Sequence, residues 1–456
     1  MRNTILKPTI TSPINAVIDN IASDKSISHR SIIFSFLSAK KNKVRNFLLG
    51  EDTLNTLKIA MKLGMQVEIN NGIESKIINS IDNINKNSNI KEITLLRDKN
   101  IIIEPNDLLD CGNAGTAIRL YIGLLATQKG YFVLSGDKYL RSRPMSRIIE
   151  PLNNIGANIT ARKNNSLAPI TIIGKNIESF NYHSNISSAQ VKSAMILSAL
   201  FAKKESYFSE ISLSRDHSER MLLGMGAKIE INDNKLIIYP IKNSLNPLDI
   251  DIPADPSSAF YFAILALIVK DSKITIKNML LNKTRIEAFR VLEKMGAKIE
   301  ITKISSQYED IGDISISKKS TLKGVSISQN ISWLIDEIPA LAIIFAFANG
   351  KSEIKNASEL RVKESDRIKA TISNLIKFGV DCKEKDDGFI INGGFKIPSK
   401  RIQINSYGDH RIAMSFAVIG ALCEVEILDS SCIDISFPNF LDIIKNFMYM
   451  ENINGN

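Results

Sequence analysis

The sequence predicts a mixed α/β protein assembled from a repeated unit of strands and helices. Three observations carry this. A helix ending in apolar-Gly-apolar, followed by an alternating strand, recurs along the chain. Three of its glycines, Gly156, Gly226 and Gly296, fall at an even spacing of 70 residues. At 456 residues the chain is also too long for one ordinary core, so two or three domains are expected.

The first copy is Ile59-Ala-Met-Lys-Leu-Gly64-Met-Gln-Val67, and the second Pro151-Leu-Asn-Asn-Ile-Gly156-Ala-Asn-Ile159. Met221 to Ile231 and Val291 to Ile301 repeat it around Gly226 and Gly296, and Leu375-Ile-Lys-Phe-Gly379-Val-Asp381 is the fifth. Each glycine fits the left-handed position that closes a helix, where a Cβ carries a steric cost. The alternation after it reads as a half-buried strand. A degenerate sixth unit spans Leu441 to Ile453, with the helix pattern but no glycine. Units of this length, mixing strand and helix, indicate small βα-type folding units rather than a thin solenoid. Asn71 to Asn100, rich in Asn, Ile and Lys, reads as a variable surface excursion in the first unit. The apolar run Ala259 to Val269 is too short to span a bilayer and reads as a buried helix.

Composition narrows the function classes. Hydrophobic residues at 44% and charged residues at 23% fit a soluble globular protein with no membrane partner. The start, Met1 to Pro8, lacks the apolar core of a secretory signal, so a cytoplasmic protein is expected. Four cysteines without CxxC spacing and four histidines argue against a structural metal or a disulfide framework. The net charge of +10 admits nucleic-acid binding, a solvated lysine-rich surface, or a cationic cleft for small anions. No basic run is interleaved with aromatics, which argues against nucleic acid. The arginine positions below favour the cleft.

Five segments hold more small, polar and charged residues than folding requires, although each taken alone also fits an ordinary capped helix, a tight or surface turn, or a solvated charged face. In Ser23-Asp-Lys25-Ser26-Ile-Ser-His29-Arg30, Ser23 or Asp24 caps a helix, and Lys25, Ser26 and Arg30 gather at its positive end. In Leu109-Asp-Cys-Gly112-Asn-Ala-Gly115-Thr-Ala-Ile-Arg119, glycines let amide hydrogens converge where a helix starts. In Ser135 to Met145, Pro144 biases Arg143 toward extended geometry, and Arg is the residue suited to gripping a carboxylate or phosphate. Ser187-Ser188-Ala189-Gln190-Val-Lys192-Ser193 opens another helix with groups suited to a polyhydroxylated ring. Last come Arg361-Val-Lys363-Glu364-Ser365-Asp366-Arg367 and Tyr407-Gly-Asp409-His410-Arg411. If helical, Lys363 and Arg367 would stack two like charges that an anion between them would relieve.

Together and in order, GNAGTAIR, RPM, SSAQVKSA, DEIPALA, RVKESDR and DHRIAMSF closely resemble the EPSP synthases, 3-phosphoshikimate 1-carboxyvinyltransferases of the enolpyruvyl transferase family. The resemblance runs from Lys25 to Ser436-Phe-Pro438. It implies an α/β (α+β) fold of two similar domains, each of three βαβαββ-like units, with the active site in the cleft between them. It places residues 22–247 in the phosphoshikimate-binding domain, and residues 1–21 and 248–456 in the second.

The resemblance also implies roles. Lys25, Ser26, Arg30, Ser188, Ala189, Gln190, Arg215, Asp336 and Lys363 match contacts to shikimate 3-phosphate. Lys25, Gly115, Arg143, Gln190, Arg367 and Arg411 match contacts to phosphoenolpyruvate. Asp336 matches the base near the attacking hydroxyl, Glu364 the proton donor to the methylene carbon, and Lys25 an alternative acid or base. No cofactor, metal or nucleic acid is implied, and a monomer is expected. Two positions depart from the pattern: Ile435 stands where some members carry a lysine, and Leu120 where many carry proline. The sister transferase acting on UDP-N-acetylglucosamine uses a loop cysteine, and none stands in Arg141 to Pro144. A non-catalytic RNA-binding protein on the same repeat is the alternative from another class.

Overall fold

A left-handed glycine closes a helix at each of the five repeat positions. In the computed structural model, which describes residues 2–9, 13–82, 84, 88–97 and 102–454, φ is +94° at Gly64 and +112° at Gly296. Gly156, Gly226 and Gly379 share the conformation at +95°, +88° and +81°. The sixth copy lacks the glycine and has a shorter helix, Phe440–Ile444, before its strand Tyr449–Asn454.

The chain forms two compact units. The terminal unit comprises the described residues of Met1–Ala22, Pro253–Ser306 and Asp310–Asn456. The inserted unit comprises the described residues of Ser23–Ile252, together with Gln307–Glu309. It extends to Ile252 because Asp249–Asp251 pairs in parallel with Asn42–Arg45.

Among the described residues each unit contains three mixed sheets of one pattern, a parallel pair followed by antiparallel neighbours. In the inserted unit one sheet runs Leu109–Asp110, Gly130–Ser135, Leu167–Gly174, Ile159–Ala161. A second runs Asn181–Ser184, Ser206–Glu210, Lys235–Ile238, Ile229–Asn232. In chain order both read β-α-β-α-β-β, the last strand slotting between the second and third. The third sheet takes its first strand, Asp249–Asp251, from the far end of the unit. The terminal unit follows the same plan. Asn15–Ile18 supplies the strand beside Lys273–Leu280, and Arg2–Lys7 sits between Val425–Leu428 and Tyr449–Asn454.

One expectation is corrected here. Within Asn71 to Asn100, Glu92–Arg97 is an interior strand between Asn42–Arg45 and Met65–Asn70, with Ile93 and Leu95 buried. The alternation in Ile93-Thr-Leu95 is short, and the Lys- and Asn-rich residues around it obscured it. Ser75–Ile78 adds a fifth, edge strand. Residues 83, 85–87 and 98–100 of that segment lie outside the described residues.

Helices divide by pattern. Those closed by glycine are amphipathic and bury one stripe, as in Glu287–Met295 and Arg367–Lys377. Others are buried on nearly every side, polar side chains included. They include Gly115–Leu125 and Ala189–Ala199 in the inserted unit, and Pro256–Ile268 and Ile338–Phe347 in the terminal unit. The run from Ala259 is thus the buried helix its composition implied. Among the described residues, Lys25–Phe34 and His410–Ala417, largely buried, complete a set of three inner helices in each unit.

Candidate active site

Each unit carries a polar cluster built largely at the starts of its inner helices. In the inserted unit, Asp24 caps helix Lys25–Phe34, its Oδ1 accepting from Ile27 N at 2.8 Å. The capping residues of Gly115–Leu125 and Ala189–Ala199, Ala114 and Ser188, make no side-chain cap hydrogen bond. Amide hydrogens and positive dipole ends at such starts favour a negatively charged ligand.

Lys25 pairs with the buried carboxylate of Asp52. Arg30 is 2% exposed, and its guanidinium ties helices together. Nε donates to Ser218 Oγ at 2.8 Å, Nη2 to Ser193 Oγ at 2.8 Å, and Nη1 to the Ser26 carbonyl at 3.1 Å. Arg30 therefore holds the Ser26 carbonyl one turn back on the same helix.

Arg143 is extended ahead of Pro144, with φ −79° and ψ 142°. Its Nη2 donates to Asn113 Oδ1 at 2.5 Å. A Cβ added to Gly115 would lie 3.0 Å from Arg143 Nη1 and 3.3 Å from Arg119 Nη1. Arg119 in turn donates to Gln190 Oε1 at 2.5 Å and to the Pro144 carbonyl at 3.2 Å. Gln190 Nε2 donates to Thr116 Oγ1 at 3.1 Å. Gly115, Arg143 and Gln190 are thus neighbours, with Arg119 joining them. Ala189, beside Gln190, opens its helix, and half-buried Arg215 follows the buried Ser214.

In the terminal unit a single guanidinium meets three carboxylates. Arg367 is 2% exposed. Its Nε donates to Asp409 Oδ2 at 2.8 Å, Nη1 to Asp336 Oδ1 at 3.2 Å, and Nη2 to Glu364 Oε2 at 2.6 Å. Arg411 Nη2 stands 4.0 Å from Asp336 Oδ2. Asp409 is fully buried and caps helix His410–Ala417, accepting from Arg411 N at 2.9 Å and from Ser365 Oγ at 3.0 Å. Burial opposes charge on Arg367, but Asp409, Glu364 and Asp336 outweigh it and raise its pKa. Arg411 is likewise raised against burial, by Tyr261, Asp336 and Glu337.

The helical stacking of Lys363 on Arg367 is not observed. Asp366 caps the helix by accepting from Lys369 N at 3.0 Å, so the helix begins at Arg367. Lys363 lies before that start in extended backbone, with its Nζ 3.6 Å from Glu359 Oε1. Burial lowers its pKa, against the pull of Glu359 and Asp336.

Several residues in these clusters were not singled out in the sequence. Arg119 and Asp409 lay inside quoted motifs, where a buried partner cannot be read from spacing. Asp52 gave no signal, because its pairing with Lys25 is purely tertiary. Among the described residues no group of three or more His, Cys, Asp or Glu could hold a metal ion. Among them, too, no helix is long and apolar enough to cross a membrane.

The fold class is that of the enolpyruvyl transferases. The enolpyruvyl transferase NikO from Streptomyces tendae matches over 100% of this chain and 99% of its own, with TM-score 0.76 at 12% identity. At that identity the likeness concerns the fold alone. The chain belongs to the EPSP synthase (3-phosphoshikimate 1-carboxyvinyltransferase) family, whose model matches residues 8–444. A 3-phosphoshikimate 1-carboxyvinyltransferase of Campylobacter concisus is 54% identical over 432 residues, 95% of each chain. The structure of EPSP synthase from Acinetobacter baumannii covers both chains fully, with TM-score 0.84 and 32% identity.

Proposed function

We propose that this protein transfers the carboxyvinyl group of phosphoenolpyruvate to the 5-hydroxyl of shikimate 3-phosphate. The products are 5-enolpyruvylshikimate 3-phosphate and phosphate, a step of the shikimate pathway toward chorismate and the aromatic amino acids. Family membership supports the reading. The observation that carries it is the Arg367 cluster, where one buried guanidinium joins Asp336 and Glu364 beside Arg411.

Phosphoenolpyruvate is a poor electrophile until its methylene carbon gains a proton. Glu364 supplies that proton, while Asp336 removes the proton of the attacking hydroxyl. The hydroxyl oxygen bonds to the adjacent carbon, forming a tetrahedral intermediate. Loss of phosphate and return of one methyl proton to the Glu364 carboxylate then restore the double bond. Lys25, Arg143, Arg367 and Arg411 hold the carboxylate and phosphate as charge shifts between them. Gly115 admits a close approach of the backbone, and Gln190 orients phosphoenolpyruvate. Shikimate 3-phosphate is bound by Lys25, Ser26, Arg30, Ser188, Ala189, Gln190, Arg215, Asp336 and Lys363. The two sets of residues act on the same pair of substrates. These steps balance with the side chains and substrates alone. On the family's pattern we also propose a cytoplasmic monomer.

Purified protein should release phosphate from phosphoenolpyruvate only when shikimate 3-phosphate is present. Release driven by UDP-N-acetylglucosamine instead would reassign the acceptor. Salt-sensitive RNA binding without turnover would favour a non-catalytic role.

A further inference from the structure

The inserted unit also holds a buried ion cluster that the proposed chemistry leaves unused. Lys192, Glu210 and Glu219 are each 1% exposed. Lys192 Nζ lies 2.8 Å from Glu210 Oε1 and 2.8 Å from Glu219 Oε1. Removing such groups from water is costly, and breaking one partner out of the set leaves a buried charge uncompensated. Burial raises the pKa of Glu219, while Lys192, though desolvated, is raised by both carboxylates.

What the cluster holds is one residue. Ser214 donates from its backbone N to Glu210 Oε1 at 2.9 Å and from its Oγ to the same oxygen at 3.0 Å. Its carbonyl accepts from Lys192 Nζ at 3.3 Å. All three polar groups of Ser214 are therefore clamped by a single ion pair. The pair stands on rigid elements. Glu210 ends strand Ser206–Glu210, and Lys192 lies in the first turn of helix Ala189–Ala199. That helix begins with Ala189 and Gln190, so the clamp ties the Ser214 backbone to the ring-binding residues. The next residue along the chain is Arg215.

We propose that Lys192 and Glu210 are positioning residues that, by clamping Ser214, set Arg215 to meet the phosphate of the acceptor substrate. The inference rests on the reading of Arg215 as a phosphate ligand. A guanidinium delivers its full hydrogen-bonding geometry only when its backbone is fixed, because ordering a loose loop on binding weakens affinity.

The test is a set of steady-state constants for Glu210→Ala, Glu210→Gln, Ser214→Ala and Arg215→Ala, with thermal melts alongside. Glu210→Ala should raise KM for shikimate 3-phosphate about tenfold, with kcat and KM for phosphoenolpyruvate little changed. Glu210→Gln keeps an acceptor oxygen for Ser214 and should restore most of that loss. Ser214→Ala alters no charge, so it remains informative if Glu210→Ala fails to fold, and should shift the same KM by a smaller factor. In an Arg215→Ala background, Ser214→Ala should add nothing. An equal shift with and without Arg215, or none in either, overturns the clamp while leaving the reading of Arg215 intact. An unchanged KM in Arg215→Ala overturns that reading and the inference together.

Discussion

The Arg367 guanidinium donates from Nη2 to Glu364 Oε2 at 2.6 Å, so the proposed proton donor is held as a hydrogen-bond acceptor. The same guanidinium reaches Asp336 through Nη1. A bound phosphoenolpyruvate carboxylate would compete for these donors and release Glu364 to carry its proton. On the proposed mechanism Arg367 would thus link ligand binding to proton delivery.

Arg367→Lys tests that link. A lysine lacks the planar fork and cannot reproduce the bonds to Asp409, Asp336 and Glu364. We expect kcat/KM for phosphoenolpyruvate to fall by at least about a hundredfold, the scale for disrupting a buried charge network. Retention of more than a tenth of the wild-type value would show that the fork is dispensable.

Asp336→Asn keeps size and hydrogen bonding but removes the base. Turnover should fall at least about a hundredfold, while affinity for shikimate 3-phosphate, measured by calorimetry, changes little. Near-normal turnover would remove Asp336 from the mechanism.

Lys363 predicts a pH dependence. Burial lowers the pKa of its ammonium below the ordinary 10.5. A bound phosphate favours the charged form and raises the pKa again, so binding takes up a proton. Affinity is therefore full below the lowered pKa and is lost as pH rises through it. On the acid side the ligand's own phosphate titrates near ~6, which is a separate limb. Calorimetric titrations should show the alkaline loss, and Lys363→Arg should flatten it. An alkaline limb unchanged in Lys363→Arg would assign it to another group.

How much of this was legible in the sequence differs by feature. The repeat was readable because five helices need a left-handed residue at the same point, and glycine marks it. The edge of the inserted unit was harder, since strand Asp249–Asp251 earns its place only by pairing with residues two hundred positions earlier. Strand Glu92–Arg97 was hidden because an Asn- and Lys-rich setting masks a short alternation. Among site residues, Arg143 was visible through Pro144, and Lys25 and Ser26 through a capped helix. Asp52, Asp409 and Lys192 were not, because what defines each is a partner distant in sequence. The pairing of Lys363 with Arg367 failed for a local reason, since Asp366 starts the helix too late to include both.

The family resemblance implies that glyphosate would occupy the phosphoenolpyruvate site, and that alanine at the position of Gly115 would confer tolerance. Here a methyl at Gly115 would press on the tips of Arg143 and Arg119. Displacing both should hurt the longer inhibitor more than the shorter substrate, on the ~1–3 kcal/mol scale of overpacking. Inhibition should be competitive with phosphoenolpyruvate and be relieved in Gly115→Ala, with some rise in KM. Equal sensitivity of the two proteins would refute this account of the loop.

The central claim is that carboxyvinyl transfer proceeds by addition and elimination at the two carbons of phosphoenolpyruvate. It is tested by running the reaction in deuterium oxide and analysing the product by mass spectrometry and proton NMR. On the proposed mechanism Glu364 would deliver a solvent-derived deuteron to the methylene carbon, and the transient methyl group would then lose any one of its hydrogens. The account predicts 5-enolpyruvylshikimate 3-phosphate with deuterium at the vinyl methylene, formed together with phosphate. Product without deuterium, or no enolpyruvyl product at all, would contradict it.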